Sequence, residues 1–137
     1  TASALEGLRD FHLAHPGHGL PVSVALERGR EFFLQHKLYR SHRTGEVVNE
    51  SMTRFPFPPM WQHDVLRVLD HFAAVDAPRD ERLRDPIELV SATRDATGRY
   101  PQHRARSGKY QFTLETEGKP GRMNTLRALR VLRWWAA

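Results

Sequence analysis

Residues 66–74, Leu-Arg-Val-Leu-Asp-His-Phe-Ala-Ala, return at residues 129–137 as Leu-Arg-Val-Leu-Arg-Trp-Trp-Ala-Ala. Leu66, Arg67, Val68, Leu69, Ala73 and Ala74 match their counterparts, and Phe72 falls on Trp135. A helical segment written twice at a long fixed offset is the signature of stacked helical units, each unable to bury its apolar face alone. The repeat therefore predicts an all-α chain built of α-hairpins.

The 137 residues fit one domain, 1–137. The chain has no apolar run near the ~20 residues of a membrane span and no signal-peptide order at its start, so a cytoplasmic setting is expected. Its start at Thr1 without methionine reads as a piece of something longer. Cysteine is absent, which removes disulfides, thiolate nucleophiles and cysteine-held zinc. From Arg99 onward nine basic residues face two acids, so this third carries a surplus of seven within a net charge of +5, and the rest is net −2. Such a basic region suits an acidic partner, but no recognition motif accompanies it and nucleic acid is not expected.

Five helices follow from pattern and punctuation. Ser3-Ala4-Leu5-Glu6 has capping-box form, and the helix it opens must stop before Pro16. A second helix starts at Pro21 or Ser23 and runs to about Tyr39. Arg40–Pro58 is polar, then proline-rich, and a stretch of that length without regular structure is often functional. Pro59 opens the third helix, whose apolar stripe is Trp61, Val65, Leu66, Leu69 and Phe72 and which Asp76-Ala77-Pro78 ends. The fourth runs from Asp80 to about Arg94, bending near Pro86. Tyr110, Phe112 and Leu114 alternate with polar residues, which predicts a small β-hairpin between Arg99 and Glu115 turning at Ser107-Gly108. Asn124 or Thr125 caps the last helix, with Leu126, Leu129, Leu132 and Trp135 facing inward.

Phe32-Phe33-Leu34 leads to Arg43-Thr44-Gly45-Glu46-Val47, as Glu88-Leu89-Val90 leads to Arg94-Asp95-Ala96-Thr97-Gly98-Arg99-Tyr100. With the repeated helix, this resembles the repeat of the terpene cyclase and protein prenyltransferase superfamily, the α/α toroid. In that repeat a helix ends in glutamine, a short turn and Gly-x-Trp; here Arg94 stands at the glutamine and Gly98-Arg99-Tyr100 at the Gly-x-Trp. Phe32-Phe33-Leu34 with His36, the segment from Trp61 to Arg67, and the segment from Thr125 to Trp134 are similar to the C-terminal end of bacterial squalene-cyclase-like proteins. The resemblance implies the closing arc of a toroid, completed by the rest of the ring or by a homo-oligomer. It also implies inner helices that bound an apolar cavity for an isoprenoid or other lipid-like ligand. The Asp-x-Asp-Asp acid of squalene-type cyclases and the cysteine of zinc prenyltransferases are both missing.

Candidate ligand-binding residues are Trp61, His63, Asp64 and Trp134. His63-Asp64 works as an acid/base pair only at a cavity, and adjacent helical residues point about 100° apart, so one at most would face it. Asp64 and Arg127 are equivalent under the repeat and are expected to form a structural ion pair. Phe72 and Trp135 read as core, while Trp61 and Trp134 are either core or cavity aromatics. His12, His15 and His18 recur every three residues, but Pro16 and Gly17 break their alignment; no metal and no cofactor is expected. No catalytic residue and no reaction can be assigned. Two readings stand: a toroid fragment that binds an apolar ligand and is inactive alone, or a non-catalytic helical interaction module whose basic C-terminal face meets an acidic partner.

Overall fold

The computed structural model describes residues 2–59, 63–103 and 111–137. Among them are five α-helices: α1 Ala2–Ala14, α2 Val22–Gln35, α3 Val65–Ala74, α4 Arg84–Ala92 and α5 Arg122–Ala136. Two 3₁₀ turns, Glu50–Thr53 and Glu81–Leu83, and a two-stranded antiparallel sheet complete the described elements. No helix among the described residues is long and apolar enough to cross a membrane.

α3 is the centre. Val65, Leu66, Val68, Leu69, His71 and Phe72 are all buried, a spread wider than one stripe, because α1, α4 and α5 pack around it. The expected start at Pro59 is corrected: Asp64 caps the helix by accepting the Arg67 amide at 2.8 Å, and the helix begins at Val65. Trp61 lies outside the described residues. The end is as expected, at Asp76, which takes a positive φ of 45°.

α3 and α5 lie side by side and parallel, since their contacts ascend together. Asp70 meets Arg127 and Arg130, and farther along Ala77 accepts the Trp134 indole N–H at 3.2 Å. After α2 and after α4 the chain turns at a glycine with positive φ, Gly45 at 76° and Gly98 at 85°, before running to α3 and α5 respectively.

Other boundaries shift for local reasons. α2 stops at Gln35, short of Tyr39, because Lys37 and Leu38 take left-handed φ values of 42° and 67°. Leu38 N–H then closes on the Phe33 carbonyl at 2.9 Å, a helix-ending 6→1 bond. α1 already starts at Ala2, and the Ser3 hydroxyl and Glu6 carboxylate both accept from Arg67 of α3. Asp80 caps the 81–83 turn rather than one continuous helix.

The β-hairpin expectation is corrected in its partner. Tyr100–Pro101 pairs with Pro120–Gly121, while Phe112 and Leu114 are exposed and outside any strand. The proposed Ser107-Gly108 turn and Tyr110 lie outside the described residues. The long 40–58 connection is likewise structural. Phe55 is fully buried, its N–H donates to His103 Nδ1 at 2.8 Å, and Gln102 Nε2 donates to the Phe57 carbonyl at 2.9 Å.

The α1–α2 crossing depends on a missing side chain. A Cβ on Gly29 would lie 2.3 Å from Cδ2 and 3.1 Å from Cγ of the buried Leu5. Gly29→Ala is expected to lower stability by about 1–3 kcal/mol through overpacking, although alanine is the better helix former. Gly7→Ala, on exposed α1 surface with nothing within 4 Å, should instead raise it by about 0.5–1 kcal/mol. Denaturant midpoints of the two variants check both signs.

Candidate functional site

α5 has two faces of opposite character, and they are not the faces its sequence suggests. Its buried residues are Asn124, Arg127, Ala128, Val131 and Trp134. Leu126 and Leu129 are 57% and 47% exposed. The expectation that Leu126 and Leu129 point inward is therefore corrected, and Leu132 and Trp135 are only partly buried.

The rotation has a physical cause in unpaired backbone groups. The 55–57 and 100–103 segments cross the start of α5 with buried carbonyls, which need donors. Asn124, wholly buried, supplies them: its Nδ2 donates to the carbonyls of Phe55 at 2.5 Å and Pro101 at 3.0 Å and to Gln102 Oε1 at 3.3 Å. Thr125 accepts the Tyr100 amide at 3.0 Å and donates to the Gly121 carbonyl at 2.6 Å. Neither residue caps the helix. Glu115 does so from outside it, accepting the amides of Arg122 at 2.6 Å and Met123 at 3.3 Å.

The expected hydrogen-bonded Asp64–Arg127 pair is not formed. Arg127 donates to Asn124 Oδ1 at 3.3 Å and its Nε stands 3.7 Å from Asp70. Asp64 spends one oxygen on the cap, and its buried Oδ2 has no hydrogen-bond partner. The two charges still feel each other. Burial lifts the Asp64 carboxyl to about 6, against the opposing pull of Arg127 and of the Arg67 amide.

Of the other proposed ligand residues, His63 stands edge-on to Phe33 with ring centres 5.4 Å apart, and burial pushes its pKa down. Trp134 belongs to the core. It is 7% exposed, its indole N–H is taken by Ala77, and Arg79 lies over its ring at 5.2 Å while donating to the Trp134 carbonyl at 2.9 Å. Among the described residues no group of three metal-ligating side chains converges; His12 and His18 pair at 3.0 Å.

What remains exposed on α5 is a stripe of Arg122, Leu126, Leu129 and Arg133 at spacings of four, three and four, flanked by Met123 and Arg130. The helix carries no acidic residue. Phe112 and Leu114 are also exposed, on the segment that Glu115 ties to the start of the helix. Sequence periodicity missed this surface because the leucines were assigned to the core, while Asn124 was read as a cap and Arg127 as the ion-pair partner of Asp64. A search against family models, curated proteins and solved structures finds no match to this chain.

Two measurements follow. A carboxyl whose pKa rises on folding favours the folded state at low pH, and that contribution is lost as pH climbs from about 4 through about 6. Asp64→Asn keeps a good cap and removes the buried charge, so it should be more stable than the parent by on the order of 1–2 kcal/mol near neutral pH, with the gap closing toward about pH 4. Urea midpoints at the two pH values read the effect. For the rotation of α5, Leu66→Ala should cost about 2–5 kcal/mol, whereas Leu129→Ala, its repeat equivalent, should stay within about 0.5 kcal/mol. Equal losses in thermal unfolding would show that Leu129 is core.

Proposed function

We propose that this chain is a non-catalytic helical interaction module whose α5 outer face takes an acidic, amphipathic protein segment. The observation that carries this reading is the exposed Arg122–Leu126–Leu129–Arg133 stripe on a helix without acids. Leucines left in water between guanidiniums suit a partner helix with apolar residues at matching spacing and carboxylates beside them. A second copy of the chain fits poorly, because bringing two such faces together sets arginine against arginine on a chain of net charge +5.

The toroid-arc reading of the architecture forms part of the same proposal. It is supported by the parallel α3–α5 pair and by the glycine turns after α2 and α4. In a ring of hairpins the next helix would lie against the outer face of α5, the face offered here to a partner. The isoprenoid-cavity reading has less support, since Trp134 is engaged in the core.

The test is a titration of the full chain with a labelled helical peptide carrying leucines three and four apart flanked by glutamates, read by anisotropy. Binding is expected to weaken several-fold between about 50 and about 200 mM salt, as Debye screening shortens. It should be lost in a Leu126→Ser/Leu129→Ser variant and in Arg133→Glu. Peptide binding unaffected by these substitutions, or none at low salt, would end the proposal. Salt-independent uptake of farnesol by the chain would restore the cavity reading in its place.

A further inference from the structure

Two pairs of histidines, each six residues apart in sequence, bring ring nitrogens together. His12 Nδ1 stands 3.0 Å from His18 Nε2, and His42 Nδ1 stands 3.2 Å from His36 Nε2. A neutral imidazole has one N–H and one lone pair, so the bond made by one ring nitrogen decides what the other can offer. In the first pair His18 Nδ1 accepts the Leu20 amide at 2.8 Å. Its proton is therefore on Nε2, the nitrogen that faces His12, and that nitrogen has no lone pair to give a metal. In the second pair the assignment is reversed. His36 Nδ1 donates to the Phe32 carbonyl at 2.8 Å, so in the neutral ring the Nε2 lone pair is the one aimed at His42. A ring N–H held by a backbone carbonyl is the arrangement that fixes the tautomer and orientation of metal-ligating histidines.

The backbone presents this second pair on fixed supports. His36 ends α2, Lys37 and Leu38 turn the chain through left-handed angles, and the Arg40 amide closes back on the His36 carbonyl at 2.7 Å. The Ser41 amide donates to the Glu46 carbonyl at 2.8 Å, and Ser41 Oγ accepts the amides of Arg43 and Thr44, both at 3.3 Å, so His42 sits in a closed turn. Phe32 packs against the His36 ring with centres 4.4 Å apart, while His42 is exposed and leaves an ion a way in from solvent. Arg40, the cation at the base of the turn, is committed to Asp85 through its Nε at 2.5 Å. The 3.2 Å between the two nitrogens is close to the edge of a metal tetrahedron, about 3.3 Å for zinc–nitrogen bonds of about 2.0–2.1 Å. Neighbouring ligands in a square plane with the same bonds would stand about 2.9 Å apart.

We propose that His36 and His42 form a zinc site in which His36 Nε2 and His42 Nδ1 hold the ion in place of the proton they share. His42 then carries its proton on Nε2, which faces away from the metal. Two imidazoles fill half of a tetrahedron and water completes it, so the site is an exchangeable one on the surface rather than a structural centre. This inference is independent of the α5 docking surface and stands or falls separately.

The experiment titrates the full chain with zinc chloride by calorimetry and follows the histidine ring nitrogens by NMR. One zinc per chain is expected, with a dissociation constant on the order of 10–100 µM. The His36 and His42 signals should shift together while those of His12 and His18 stay in place. His36→Gln and His42→Gln should each weaken zinc by at least about 10-fold, since each removes one of two ligands. A His12→Gln/His18→Gln variant should bind zinc like wild type. The proposal is overturned if zinc at about 1 mM leaves the chain unbound, if a folded His42→Gln binds like wild type, or if the shifted signals belong to other histidines.

Discussion

The buried amide of Asn124 holds the arrangement together. It joins three parts of the chain far apart in sequence, the 55–57 loop, the 100–102 segment and α5, by donating to the Phe55 and Pro101 carbonyls and to Gln102 while accepting from Arg127. Backbone carbonyls carried into the interior must find donors, and a side chain with two N–H groups meets that demand more economically than a second strand. Once Asn124 points inward, helical geometry places Arg127, Ala128, Val131 and Trp134 beside it and turns Leu126 and Leu129 outward. Satisfying polar groups at one end of the helix thus decides where its apolar side chains are displayed along the whole length.

The same logic explains why two nearly identical segments behave differently. Val65 and Ala128, Val68 and Val131, and His71 and Trp134 are buried on both helices, so the repeat preserves the packing face. Leu66 and Leu69 are fully buried on α3, whereas Leu129 is exposed on α5. The difference lies in the neighbours: α3 has helices around it, α5 has α3 and α4 on one side and, among the described residues, no helix on the other. Charge follows the same division. Asp70 of α3 draws both Arg127 and Arg130 across, and its own repeat equivalent is Arg133, which stays in solvent.

Helix content, the central place of the repeated segment and the glycine turns were legible in the sequence because they depend on local periodicity and on backbone angles open to few residues. The rotation of α5 was not, because it depends on carbonyls supplied by segments 23 and 69 residues away. The capping box at Ser3 and Glu6 was misread for a related reason. Its residue types are right for capping, but Arg67 arrives from α3 and takes both acceptors. Asp64 was read as the ion-pair partner of Arg127, yet Arg127 lies nearer Asp70 instead, and Asp64 is a buried helix cap whose bond to the Arg67 amide fixes one carboxylate oxygen.

Arg130 belongs both to the outer face of α5 and to the contact of that helix with α3. It is exposed on the flank of the α5 stripe and forks onto Asp70. An acidic side chain docking on α5 would compete with Asp70 for that guanidinium. Because one guanidinium cannot fork to two carboxylates at full strength, such docking would loosen the contact by which Arg130 ties α5 to α3.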